Sequence, residues 1–248
     1  CTVSSAYCRL TQDHTKIHAI LDALAPALVY AAEPSVYGPP LASWAARGSR
    51  PVVFSKHASE MVGAFDFGTL SVEETSAVAA AFAAIRPDTH AKYLLTSGST
   101  GTPKVVVNTH RMLCANQQMI AQVWPFLNRH PLRLLEWLPW SHTFGANHNF
   151  NLVLAHGGSL HVDDGRPMPG LIERTVKNLR EVRPNFYFNV PRGFDMLLPY
   201  LESDEALARD VMQNLEGVFY AGAALPQSLW ERLEGVARRV RERPLWFT

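Results

Sequence analysis

Cysteine is scarce in this sequence, and so is any surplus of charge. Of 248 residues only three are cysteine, Cys1, Cys8 and Cys114. An odd number without metal-ligand spacing argues against a disulfide framework or a zinc knuckle, and no residue is assigned to a metal. Reduced thiols packed as small apolar groups are the expectation. Lys and Arg total 23 against 22 Asp and Glu, a net charge of +1, so there is no basic face for nucleic acid and no acidic one for basic partners. No apolar run approaches the roughly 20 residues that span a bilayer, and no signal-peptide pattern opens the chain. The expectation is a cytoplasmic protein with neither nucleic acid nor membrane as partner. Internal repeats and low-complexity linkers are absent too. The chain begins with Cys1 instead of Met, and it ends on Pro244 to Thr248, an apolar strand with nothing to turn or cap it. An internal fragment of a longer protein is expected.

What is present is a 47% hydrophobic chain, long enough for one large or two ordinary domains with a substantial core. Ile17, Ile20, Leu21 and Leu24 recur at helical spacing within Asp13 to Leu24. Short apolar runs at 27–31 and 51–55 suit buried strands, separated by a turn-rich stretch at Gly38-Pro39-Pro40 and a short helix from Leu41 to Ala46. Ser71 with Glu74 reads as a capping box opening an alanine-rich helix to about Ile85. Further on, helices are expected at 109–123, 144–155, 171–181, 193–201, 204–215 and 227–239, and strands at 132–138, 159–162, 185–190 and 217–220. Alternation of this kind predicts α/β layers with largely parallel strands.

The densest chemistry lies in Tyr93 to Arg111, YLLTSGSTGTPKVVVNTHR. A triphosphate needs inward backbone N–H groups, small residues for close approach, hydroxyls and a cation. Thr96, Ser97, Gly98, Ser99, Thr100, Gly101, Thr102 and Lys104 supply all four. The P-loop pattern requires glycine immediately before the lysine and a helix opening there. Here Pro103 precedes Lys104 and a β-branched run follows, so the loop joins two strands and the P-loop is disfavoured. Composition alone leaves a plain surface turn open.

The string SGSTGTPK resembles the signature loop of the adenylate-forming superfamily, which includes acyl-CoA and aryl-CoA ligases. Val105, where most members have glycine, and the continuation VNTHRMLCANQ look most like feruloyl-CoA synthetases. Leu138 to Gly145, LPWSHTFG, is similar to the second core motif of that family. Asn189-Val190-Pro191 resembles the segment before the acid pocket, and Tyr220 to Leu225 the Gly-Ala turn against adenine. The likeness covers essentially the whole chain, as a partial large N-terminal domain over residues 1–248 with the small C-terminal domain missing.

The resemblance implies an ATP-dependent acid:CoA ligase with ATP, Mg2+ and coenzyme A, acting on ferulate or a related hydroxycinnamate. Thr96 to Gly101 with Lys104 would enclose the β and γ phosphates, Thr102 belonging to the same loop. Lys104 acts as a point charge, and the reading set against it is a solvated surface lysine. His142 would line the acid site and gate the thiol; a packed histidine is the alternative. Trp140 and Phe144 would wall an aromatic acid pocket or else belong to the core. Tyr220, Gly222, Ala223 and Ala224 would lie on the adenine, or form only a tight turn. Asp163-Asp164-Gly165 reads as a polar turn without chemistry. The magnesium glutamate, the ribose aspartate and the C-terminal lysine of the family are expected beyond Thr248, so the fragment alone is expected to be inactive. Two other readings stay open: another fatty-acid or aryl-acid ligase, and a non-catalytic nucleotide-binding scaffold.

Overall fold

The computed structural model describes residues 1–9, 13–48, 50–70, 72–96 and 103–248. The chain divides into two compact units, Cys1–His110 and Arg111–Thr248.

In the first unit, α1 (Ala6–Arg9), α2 (Thr15–Leu24) and α3 (Pro34–Ala45) accompany a parallel sheet ordered β1-β2-β3, with β1 Val29–Ala31, β2 Val52–Phe54 and β3 Phe65–Asp66. Ile17 and Leu21 of α2, Leu41 and Trp44 of α3, and Val52 and Phe54 of β2 form its core. The predicted break at Gly38-Pro39-Pro40 is corrected: α3 runs through both prolines. Proline costs a helix its N–H bond and crowds the preceding turn. Here the loosened carbonyls find partners, because Ser43 Oγ donates to Pro39 O at 3.1 Å and the His18 ring lies 2.9 Å from Pro40 O. Burial of Leu41 and Trp44 on one face then offsets the cost.

The alanine-rich helix α4 (Ser76–Ala83) also departs from expectation. Its N-cap is Thr75, whose hydroxyl accepts from Val78 N at 3.3 Å; the helix does not begin at 72–74 as the predicted capping box required, and Ser71 itself lies outside the described residues. Glu73 and Glu74 are exposed residues ahead of the helix. Next, β4 (His90–Thr96) and β5 (Lys104–Thr109) pair antiparallel, from His90 opposite Thr109 to Thr96 opposite Lys104. The strands expected on either side of residues 97–102 are therefore present, while those residues lie outside the described ones.

The second unit holds α5 (His110–Val123), β6 (Leu132–Glu136), α6 (Phe150–His156), β7 (Gly158–Val162), α7 (Ile172–Val182), β8 (Phe186–Asn189), α8 (Pro191–Ser203), α9 (Glu205–Met212), β9 (Gly217–Tyr220), α10 (Gln227–Val240) and β10 (Trp246–Phe247). β9 pairs parallel with both β8 and β10, and β6 pairs parallel with β7. β6 and β8 are tied at their starts by Asn185 N donating to Arg133 O at 3.1 Å, and just past β6 by Trp137 Nε1 donating to Asn189 Oδ1 at 3.1 Å. The two strands therefore run the same way, so the three-stranded sheet β10-β9-β8 and the two-stranded sheet β6-β7 lie side by side and point their carboxyl ends in the same direction.

Helices cover this sheet with the residues that their periodicity selects. Leu229, Leu233, Val236, Ala237 and Val240 of α10 join Leu197, Leu198 and Leu201 of α8 and Leu207 and Val211 of α9 in one core. Each large side chain so buried contributes roughly 1.5–3 kcal/mol before entropy is charged against it. Aromatics dominate the second core, where Trp124, Phe126, Phe144, Phe186 and Phe188 pack together. The helix expected at 144–155 is divided: Phe144–Asn149 forms a π-helical segment ahead of α6.

Candidate active site

Ligands of parallel α/β sheets gather where the strands' carboxyl ends open. In the second unit that edge carries most of the residues singled out from the sequence. Glu136 closes β6 and is followed by Trp137-Leu138-Pro139-Trp140-Ser141-His142; Asn189 closes β8; Tyr220 closes β9 and leads into Ala221 to Ala224.

His142 is exposed on a tight turn whose backbone is pinned at both sides, His142 N donating to Pro139 O at 3.0 Å and Ala146 N donating to His142 O at 3.0 Å. Its Nδ1 accepts from Phe144 N at 3.2 Å. A ring nitrogen that accepts carries no proton, so the neutral imidazole keeps its hydrogen on Nε2, the nitrogen free to meet a ligand. Trp140 is 42% exposed, with its ring 5.3 Å from that of Phe150. Phe144, only 8% exposed, packs edge-on against Phe188 and beside Phe219. Of the two expected pocket walls, Trp140 is the open one.

Tyr220 is half-buried, opposite Asn189 in the ladder. The turn after it needs its glycine, since Gly222 has φ +90°, a region closed to most side chains. Ala223 and Ala224 are exposed. In the first unit, Thr96 and Lys104 are exposed and face one another across the mouth of the hairpin. Ser97, Gly98, Ser99, Thr100, Gly101 and Thr102 lie outside the described residues.

Behind the edge runs a polar layer that sequence reasoning missed. Asn189 is buried; its Oδ1 accepts from Trp137 Nε1 and from Val190 N, and its Nδ2 donates to Tyr187 Oη at 3.1 Å. A Cβ on Gly193 would land on this side chain, so the first turn of α8 requires glycine there. Asp163, just past β7, is buried with its carboxylate fully engaged by Gly165 N, Thr175 Oγ1 and Asn178 Nδ2. It fastens β7 to α7, which agrees with the reading of that turn as structural. Glu136 is 5% exposed and accepts one hydrogen bond, from Asn149 Nδ2 at 2.7 Å. Burial pushes its carboxyl up to about 8, partly opposed by that bond. A charged residue inside the apolar run LRLLEWL was the available signal; reading the run as a simple strand passed over it.

Among the described residues, no three His, Cys, Asp or Glu side chains converge as a metal cage, and no helix is long and apolar enough to cross a membrane. A cleft of about 1010 Å³ in the first unit, lined by Pro34, Ala42, Met61 and Phe65 among others, contains none of the expected site residues.

The family model described as "AMP-binding enzyme" matches residues 9–243. The chain belongs to the AMP-binding enzyme family. A long-chain-fatty-acid–CoA ligase of Drosophila melanogaster, heimdall, is 30% identical over 141 residues, 57% of this chain and 20% of that protein. The 4-chlorobenzoate–CoA ligase of an Arthrobacter species is 33% identical over 156 residues, 62% of this chain and 28% of that protein. Among solved structures, the adenylation domain of a keto acid-selecting NRPS module, bound to keto acyl adenylate, superposes with a TM-score of 0.67 at 17% identity, over 90% of this chain and 38% of that one. The expected layered α/β fold of adenylate-forming enzymes is thus the observed fold. The chain spans 20% to 28% of the length of these two curated relatives. Neither is named for a hydroxycinnamate, so kinship with CoA ligases stands and the feruloyl likeness is a matter for proposal.

Proposed function

We propose that the protein carrying this chain is an AMP-forming acid:CoA ligase acting on an aromatic acid of the ferulate type. The observation that carries the reading is the carboxyl-end side of the parallel strands, where Trp140 and His142 follow β6 and Tyr220 and the Gly222 turn follow β9, with β8 between them. A carboxylate oxygen attacks the α-phosphorus of ATP, and the bond to the β-phosphate oxygen breaks, releasing pyrophosphate. The sulfur of coenzyme A then attacks the acyl carbon, and the acyl–oxygen bond breaks to release AMP.

Little covalent work falls to the protein, so positioning and charge placement carry the rate. Thr96 and Lys104, with the Ser97–Thr102 loop between them, hold the β and γ phosphates and offset their charge. The His142 Nε2–H donates to the acid carboxylate or to the carbonyl of its acyl-adenylate. Trp140 offers a ring face to an aromatic acid, with Phe144 behind it, and Tyr220 with Gly222, Ala223 and Ala224 accepts the flat adenine. Magnesium enters with ATP; the described residues provide no carboxylate cage for it, and no step is assigned to it. The protein is placed in the cytoplasm, its partners being the acid, ATP and CoA, and residues 1–248 are part of its large N-terminal domain.

AMP release by the intact protein with ferulate, coumarate, benzoate and octanoate tests the reading. Ferulate or coumarate is expected to lead. Preference for octanoate would instead support a fatty-acid ligase, the reading favoured by the match to heimdall, and no acid-dependent AMP would support a non-catalytic scaffold. Lys104→Ala should slow adenylation, whereas His142→Ala should weaken acid binding or the thiol step; equal losses in both half-reactions would refute that division.

A further inference from the structure

The carboxyl end of β6 holds a buried acid that the proposed chemistry does not use. Glu136 Oε2 accepts from Asn149 Nδ2 at 2.7 Å, and Asn149 Oδ1 lies 2.8 Å from His148 Nδ1. An amide oxygen only accepts, so His148 carries its proton on Nδ1. The other carboxyl oxygen, Oε1, is buried without a hydrogen-bond partner among the described residues. Gly145 is wedged beside it: a Cβ there would lie 3.2 Å from Oε1, 2.9 Å from Leu138 O and 3.0 Å from Pro139 O. Glu136 thus meets the π-helical stretch Phe144–Asn149 at Asn149 and beside Gly145, and Gly145 in turn packs against the backbone of the Leu138-Pro139 turn that leads to His142. Such π-helical insertions recur at functional sites, where they re-aim side chains at some cost in backbone geometry.

We propose that Glu136 is a positioning residue for the acid-binding side of this site: through Asn149 it locks the Phe144–Asn149 segment and thereby holds the Pro139–His142 turn in its binding geometry. The proposal rests on the acid:CoA ligase reading. Burial keeps the carboxyl protonated near pH 7, pushed up to about 8, which suits a lock built from hydrogen bonds and not from charge. Of the charged and titratable groups nearby, Tyr187 and Asp163 lie on the sheet side and His148 on the helical side. Replacing the acid by an amide keeps one acceptor for Asn149 in the same shape, whereas leucine keeps only the volume.

The test compares Glu136→Gln with Glu136→Leu in the intact protein, reading KM for the acid, KM for ATP, kcat, and amide hydrogen exchange across residues 139–149. Leucine is expected to raise KM for the acid roughly 10- to 100-fold, the scale of a small misplacement in a site, with KM for ATP nearly unchanged and exchange protection lost. Glutamine is expected to restore both. The proposal is overturned if leucine leaves acid KM and protection unaltered, if glutamine is as impaired as leucine, or if the KM values for acid and ATP rise together. Should the leucine variant fail to fold, Asn149→Ser, which removes the same link from the other side, carries the same expectations. If the unmodified protein releases no AMP with any acid, the ligase reading fails and hydrogen exchange alone decides the lock.

Discussion

Two buried carboxylates stand at the ends of adjacent strands, and they are treated in opposite ways. Asp163, past β7, receives three hydrogen bonds at 2.7–2.8 Å from a backbone N–H, a hydroxyl and an amide. Glu136, on β6, receives one. A buried acid short of donors takes up its proton, as burial makes Glu136 do. The first arrangement behaves as a fastener and the second as a neutral prop beside a binding turn. Each has its glycine: Gly165 packs on Thr175 beside Asp163, and Gly145 packs on the β6 turn beside Glu136.

The sharpest way to break the contrast is Asp163→Ala. It strands three donors at once, and a loss of about 3–5 kcal/mol in urea unfolding of the intact protein is expected; a loss under about 1 kcal/mol would show that water replaces the carboxylate. Glu136 should make stability respond to pH. Its folded pKa of about 8 lies above the ordinary 4.5, so between those values the folded state holds a proton that the unfolded chain has released. Its contribution is full below about pH 4.5 and declines as pH rises through 8, by up to about 1.4 kcal/mol per unit. Glu136→Gln should abolish that slope, matching the parent near pH 4.5 and exceeding it in melting temperature at pH 8. Parallel pH curves for the two proteins would refute the neutral acid.

A smaller effect is expected from Gly145→Ala, about 1–3 kcal/mol, because the new methyl group meets two backbone carbonyls that can yield only by moving the turn. Its diagnostic is a rise in acid KM larger than the loss of stability would explain; an unchanged KM would separate Gly145 from the site. Smallest of all, and away from both carboxylates, Thr75→Ala should cost roughly 0.5–2 kcal/mol through the lost cap on α4. No change in melting temperature would mean that the cap bond is not maintained in solution.

Much of the architecture was legible because its signals are local. The apolar runs of β6, β8 and β9 and the heptad-like spacing in α10 each report a buried face within a single element. The Pro103-Lys104 step followed by Val105 to Val107 announced a strand after the loop, and β5 starts at Lys104 as that pattern requires. What escaped needed partners distant in the chain. α3 survives its prolines through His18 and the burial of Trp44, and α4 starts at Ser76, capped by Thr75, although the sequence pattern favoured Ser71 with Glu74.

By itself the sequence determined the family, the two strands that flank residues 97–102 and the motifs on which the site would be built, because these depend on short strings and on the side-chain periods of strand and helix. Only the tertiary structure decided which of those residues share an edge, that Phe144 turns into the core while Trp140 stays open, and that Glu136 is buried with Asn149. Burial and hydrogen bonding between segments far apart in the chain are properties of packing, and no local pattern encodes how much water a side chain will keep.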